Sequence, residues 1–234
     1  MNQVRARAAA MALVVLVTCT CSLGNSSPQA DPVKVLSQAG PALGAVKTAA
    51  VELKFGPGAT FFGLTVVSAS GKVRLPTDSQ VSIKAKQSSD SLIEVLVVTL
   101  EGHTYVTVPF LGVQEVTGGQ AAAVPSVGRI FDSTSGLPGI LPKARSPQLA
   151  GSATVDGVDC WLVKGKYTAE QVSQAVQPLS PTGDIDATLS VGKRDHLLRK
   201  ALLTGSLFAA GKKTTLEVRL HEFDAPVTIT KPGS

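Results

Sequence analysis

The 234-residue chain offers few side chains whose type and spacing could do chemistry, and its three cysteines come first among them. Cys19 and Cys21 directly follow a short apolar stretch, whereas Cys160 stands alone deep in the chain. Leu16-Val17-Thr18-Cys19 puts Leu three residues before a thiol. That is the spacing of a lipobox, where an export signal is removed and the cysteine takes a thioether-linked lipid. Each buried methylene of such a lipid contributes ~0.8 kcal/mol of membrane affinity. Cys21 is the alternative, with Thr18 and Thr20 at −3 and −1, and cleavage without acylation is the competing reading. A metal or redox site built on Cys-x-Cys would need a second ligand pair, which the sequence lacks. Cys160 adjoins Trp161 in a strand-like run and reads as a small core residue.

The remaining reactive groups do not assemble into a catalytic motif. His103 and His196 fall at expected hairpin tips, and His221 lies on the polar side of a strand. Asp184 and Asp186 share one strand face, where a solvated edge accounts for them better than an acid/base pair. Gly118-Gly119 is not followed by Gly-Lys-Ser/Thr, and neither a G-x-S-x-G elbow nor an H-E-x-x-H pair occurs. The expectation is therefore no catalytic residue, no metal, no cofactor and no enzymatic activity.

The elements that position these residues follow from the pattern of apolar side chains. Residues 1–18 combine Arg5 and Arg7 with an apolar run from Ala8 to Val17, the layout of a signal peptide and too short to span a bilayer. Residues 19–31 are polar with Gly, Pro and Ser, and form a tether to a domain over 32–230. Asp31-Pro32 opens a helix. Leu36, Ala39, Leu43 and Val46 repeat along it, and Gly40-Pro41 predicts a kink or break. From Ala50 to Phe110 the period becomes two, giving a β-meander of four to five strands.

Pro125 to Leu149 lacks alternation and reads as two short helices or helical turns, a candidate lid. Strand pattern returns from Val155 to Gly165, with a tight turn at Asp156-Gly157. Thr168-Ala169-Glu170-Gln171 is a capping box. Three further strands cover about 186–191, 197–206 and 214–223. This order predicts an α+β fold: a strongly curved antiparallel sheet, a half-barrel, with helices on its concave face around an apolar cavity.

The composition agrees with that architecture. Hydrophobic residues make up 44%, charged residues 17% and aromatics 4%, and the mean hydropathy is +0.22. Without Arg5 and Arg7 the 22 basic residues become 20 against 17 acidic ones, which with so few aromatics excludes a nucleic-acid partner. Small residues dominate the inward strand positions and leave room for acyl chains, each Å² of which gains ~25 cal/mol on burial. The candidate lining is Val67, Ala69, Val73, Val81, Ile83, Ala85, Ile93, Val95 and Val97 from the meander. Ile130, Phe131, Leu137 and Leu141 join it from the helical span, and Trp161 and Val163 from the later strand. A filled core with the same pattern is the alternative.

An ordered series of short motifs adds a family resemblance. Ile130-Phe131-Asp132 precedes Gly136-Leu137 and Leu141; Asp156-Gly157 precedes Val163-Lys164-Gly165; His196-Leu197 precedes Arg199; and Phe223-Asp224-Ala225-Pro226-Val227 closes the run. Over most of residues 31–232 the chain resembles the mycobacterial LppX/LprAFG lipoproteins, whose half-barrel is like that of the LolA and LolB lipoprotein carriers. The resemblance implies a lipoprotein on the outer face of the plasma membrane, partly secreted, that carries acylated lipids or glycolipids between inner and outer membrane. The partners would be that lipid, the membrane through the N-terminal anchor and, as a further candidate, a membrane transporter. By position, Val81, Ile83, Ala85, Val95 and Val97 match pocket-lining strands, and Ile130 and Phe131 match the helical part beside the pocket. The chain departs at Thr18, at Gly40-Pro41, and at Trp161, which replaces a smaller residue and narrows the expected cavity. The competing functions are a non-carrier envelope surface protein with a filled core and a small envelope lipid hydrolase.

Overall fold

A computed structural model describes residues 30–233 apart from 62, 87–90, 118–123, 125 and 177–178. The proposed signal segment, nearly all of the tether, and Cys19 and Cys21 lie outside these residues. Asp31 caps the first helix, α1 (Pro32–Gly44), by accepting from the Val33 N–H at 2.9 Å. The helix continues through Pro41 instead of breaking there. Ser37, whose carbonyl loses its helical partner to the proline, lies on the exposed side, where water can take that bond.

The meander follows as β1 (Thr48–Phe55), β2 (Thr60–Phe61), β3 (Leu64–Arg74), β4 (Asp78–Lys86), β5 (Leu92–Leu100), β6 (His103–Val108) and β7 (Gly112–Val116). The span read as a lid holds three short helical pieces. These are a 3-10 turn η1 (Val127–Phe131), a one-turn helix α2 (Leu137–Ile140) and a second 3-10 turn η2 (Leu141–Lys143). Then come β8 (Arg145–Val155), β9 (Val158–Thr168), α3 (Ala169–Ala175), β10 (Thr182–Gly192), β11 (Leu198–Ser206) and β12 (Thr214–His221). The capping box at α3 is formed as read, with the Thr168 hydroxyl accepting from Gln171 N–H and the Gln171 side chain accepting from Thr168 N–H. Asp156 and Gly157, at φ 50° and 78°, make the tight β8–β9 turn.

All strands join one curved, open antiparallel sheet in the order β7-β6-β5-β4-β3-β1-β12-β11-β10-β9-β8, with β2 added on β3. The β1–β12 pairing therefore joins a half built from the first strands to a half built from the last. Gly71 sits between Val51 and Val81 in the register. A Cβ there would lie 2.2 Å from the Gln80 carbonyl oxygen, so only glycine admits this close approach within the sheet.

The helices pack on one side of the sheet. η1 contacts β3 and β4, α3 contacts β9 and β10, and α1 contacts β8, β10 and the α2–η2 turns. One apolar cluster holds them there, from Leu36 and Leu43 through Val73 and Val81 to Leu189 and Leu216. The Tyr167 hydroxyl, buried on β9, donates to the Leu141 carbonyl at 3.1 Å and pins η2 to the sheet. After β12 the chain crosses to the outer face. The Asp224 carboxylate accepts from Lys47 N–H at 2.7 Å, and the Thr48 hydroxyl donates to the Ala225 carbonyl at 2.6 Å. Lys231 then places its ammonium 4.9 Å from the ring centre of Tyr105 on β6.

Candidate functional site

The concave side of the first half is lined in an order that the register fixes. Ala69 lies opposite Ile83, Val81 opposite Val97, Ile83 opposite Val95 and Ala85 opposite Ile93. Val106 of β6 lies opposite Val97. Cover thins toward the β7 edge. Val73, Val81 and Val97 are buried, whereas Ile93, Val95, Val106 and Val116 keep part of their surface open. At the Val116 end of this strip, next to Thr104 and Thr99, is a cleft of about 550 Å³, within the range of small-molecule sites. Its walls are the start of β1 (Val46, Lys47), the β3–β4 turn (Leu75, Pro76, Thr77), Thr99 of β5, and Gly128, Arg129, Phe131 and Asp132 around η1.

The cleft is apolar at Phe131, Val46 and Leu75 and polar at Thr77, Thr99 and Asp132. Hydrogen bonds to Asp132 from the Ser135 N–H (2.7 Å) and hydroxyl (2.8 Å) and the Thr134 N–H (3.0 Å) hold its carboxyl below the usual aspartate range. They also tie down the end of η1. This geometry suits a ligand with an apolar body and a polar end. It holds no histidine or cysteine to act as base or nucleophile.

The second half is closed. Beneath it Leu137, Ile140, Leu141, Tyr167, Val172, Leu189, Ala201 and Leu203 surround a residual void of only about 10 Å³. The expected lining residues thus separate. Ala69, Val73, Val81, Ile83, Ala85 and Val97 are buried in the first half, with Ile93 and Val95 half-buried beside them. Ile130 and Phe131 are buried in η1, and of all the expected residues Phe131 alone borders the cleft. Leu137 and Leu141 pack into the closed half, as does Val163 opposite Leu189. Trp161 is half-buried with the Lys193 ammonium 4.4 Å from its ring centre.

Val67 requires a correction. It is exposed on the outer face, because the register shifts between Val66 and Ser68 and Val66 takes the buried position. Sequence reasoning missed Val46, Thr99, Val106 and Val116. The alternation of Tyr105-Val106-Thr107-Val108 could have revealed Val106.

The other reactive groups are accounted for elsewhere. Asp184 pairs with Arg145 and Asp186 with Lys166 at the surface. His103 lies 2.7 Å from Glu115, and His221 lies 3.5 Å from Glu52. Burial pushes the Cys160 thiol up, away from the reactive thiolate. Among the described residues no group of three His, Cys, Asp or Glu could hold a metal ion, and no helix is long and apolar enough to cross a membrane.

The curved, open antiparallel sheet with its few helices on one side is an α+β half-barrel. The chain belongs to the LppX_LprAFG lipoprotein family, which it matches over residues 31–229. It is 28% identical over 160 residues to the lipoarabinomannan carrier protein LprG of Mycobacteroides abscessus, covering 68% of this chain and 67% of the relative. To LprG of Mycobacterium tuberculosis it is 24% identical over 172 residues, or 73% and 70% of the two chains. Among solved structures, LprF from Mycobacterium bovis superposes with a TM-score of 0.69 at 18% identity, over 86% of this chain and 96% of that one. LppX from Mycobacterium tuberculosis gives a TM-score of 0.59 at 16% identity, over 86% and 100%. The shared fold, a curved and open antiparallel sheet with few helices, is the one expected from the sequence; among the described residues it lacks the enclosed apolar cavity expected with it.

Proposed function

We propose that the protein is a lipid-binding envelope lipoprotein that carries acylated lipids or glycolipids between the inner and outer membranes of a mycobacterial-type envelope. Residues 1–18 export it, and acylated Cys19, or else Cys21, tethers the domain to the outer face of the plasma membrane. Acyl chains lie along the concave side of β5–β7, and the polar end of the ligand faces Thr77, Thr99 and Lys47. A membrane transporter supplies or receives the lipid. No catalytic step is assigned to the chain.

One observation carries this reading: the half-open strip of Ile93, Val95, Val106 and Val116, whose Val116 end reaches the 550 Å³ cleft through Thr104 and Thr99. Val95, Val106 and Val116 pack against the core and still keep part of their apolar surface open, which suits a place for a ligand. The names of the LprG relatives as lipoarabinomannan carriers support an acylated glycolipid as the ligand class.

Native mass spectrometry of the protein purified from a mycobacterial host tests it. The wild type should retain lipid, and Val95→Trp, which adds bulk where space is open, should lose it without a lower melting temperature. Lipid retained by the folded variant would move the site elsewhere. A wild type that never holds lipid would favour an envelope protein with a filled core.

A further inference from the structure

The strands alternate in direction, so their connections fall on two opposite rims. One rim carries the β1–β3 connection, the end of β4 and the start of β5, the β6–β7 tip and the β11–β12 loop. Phe110 and Leu111 form the β6–β7 tip, and both are exposed, Phe110 completely. Leu92, the first residue of β5, is 62% exposed. Phe110 also has φ 67°, a region that bulky residues rarely occupy. A glycine would relieve the backbone there, and no burial of the ring compensates, so the folded domain itself gains nothing from this phenylalanine.

The same rim gathers exposed lysines: Lys54, Lys84, Lys86, Lys212 and Lys213. None of them forms an ion pair among the described residues, although Glu94 lies opposite Lys84 in the register. Asp184 and Asp186 nearby are engaged by Arg145 and Lys166. The opposite rim, which holds the cleft, mixes the two signs: Asp156 pairs with Arg219, Asp195 with Arg199, and Arg74 with Asp78, beside the cations Lys47, Lys193 and Arg194.

We infer that the rim bearing Phe110, Leu111 and these lysines docks on an anionic bilayer surface. Isolated apolar tips can enter the headgroup region one by one, whereas a stable protein partner would need a continuous patch of roughly 800 Å² per side. Lysines around such tips add an attraction that anionic lipid supplies and salt screens within about 10 Å at 0.1 M. Docking in this way presents the hairpin ends of β4–β7 to the membrane and leaves the cleft on the far rim. It does not depend on lipid being held in the concave face, so it stands or falls apart from the carrier reading.

Tryptophan fluorescence of the full chain tests it. Phe110→Trp and, separately, Arg194→Trp on the opposite rim are each made with Trp161→Phe. Vesicles contain brominated phosphatidylcholine, with or without phosphatidylglycerol. The Phe110→Trp probe should shift blue and be quenched by the anionic vesicles, several-fold less at 0.5 M salt, while the Arg194→Trp probe should not respond. Replacing Lys84, Lys86, Lys212 and Lys213 by Gln should weaken vesicle binding by up to about a thousandfold, since each lysine near an anionic surface contributes roughly fivefold. Equal quenching of both probes, or none at Phe110→Trp, overturns the orientation. A concentration-dependent blue shift without vesicles identifies a second copy of the chain as the occupant instead, and equal response to neutral vesicles removes the role of the lysines.

Discussion

The two halves of the sheet share antiparallel pairing and differ in what fills their concave sides. In the half built from β8–β12, Leu189, Leu198, Leu216 and Leu220 are each at most 2% exposed, and the void that Leu137, Leu141, Leu189 and Leu203 surround measures about 10 Å³. In the half built from β1–β7, alanine and valine take most inward places, alongside Leu53, Ile83 and Ile93, and the outermost strands keep half-buried apolar side chains near a cleft of about 550 Å³. Large branched residues in one half anchor the fold, and small ones in the other leave space. On the proposed reading, stability and binding fall in different parts of one continuous sheet, and the less filled half can stay open without the domain unfolding.

The largest effect that would break this comparison comes from truncating one residue on each side. Leu216→Ala should lower unfolding free energy by about 2–5 kcal/mol, since its surroundings cannot collapse into the void. Val106→Ala, at a half-buried position, should cost about 1 kcal/mol or less. Urea denaturation with unchanged slopes measures both. Equal losses would mean that the first half is packed as tightly as the second.

A smaller effect sharpens the boundary between the halves along α1. At Gly40 a Cβ would come 2.6 Å from the Pro138 carbonyl oxygen and 3.2 Å from Pro142, which presses α1 against the turns that close the second half. Gly40→Ala should cost about 1–3 kcal/mol by overpacking, although alanine favours a helix. Gly44, one turn on, borders the cleft, and its Cβ would meet nothing closer than 3.6 Å. Gly44→Ala should therefore be neutral or stabilising by up to ~1 kcal/mol. Loss of stability at Gly44 comparable to that at Gly40 would show the cleft side to be equally close-packed.

How much of this was legible in the sequence depended on whether burial imposed a pattern. β4, β5 and β12 alternate clearly because one face of each is covered, and the motif at Thr168–Gln171 is local chemistry that needs no tertiary context. β8 escaped notice because it is an edge strand: RSPQLAGSATV is mostly exposed, carries a proline and a glycine, and shifts register twice against β9. Its first residues were read as the end of the helical span. β7 is short and nearly all exposed, so no alternation marked it. Val67 was assigned inward by parity alone, and a bulge reverses parity without a signature in composition. The cleft was hardest to foresee, since Val46, Thr99 and Phe131 come from distant parts of the chain and only the curvature of the sheet unites them.

The smallest expected effect concerns how the first half is covered at acid pH. Asp132 borders the cleft and accepts from the Ser135 N–H and hydroxyl and the Thr134 N–H, which lower its pKa in the folded state. The folded protein then binds fewer protons there than the unfolded chain, whose aspartates titrate near ~3.9. The contribution is present above that unfolded value and is lost as pH falls through the lower folded one. Hydrogen-exchange protection of the Thr134 and Ser135 amides, corrected for intrinsic rates, should therefore fall between about pH 4 and pH 2. Amides of β10 and β11 should keep theirs over that range. Asp132→Asn retains an acceptor oxygen but cannot titrate, so it should abolish the local pH response. Simultaneous loss of protection in both halves would show that acid unfolds the sheet as one unit, and that Asp132 does not control the cover of the cleft separately.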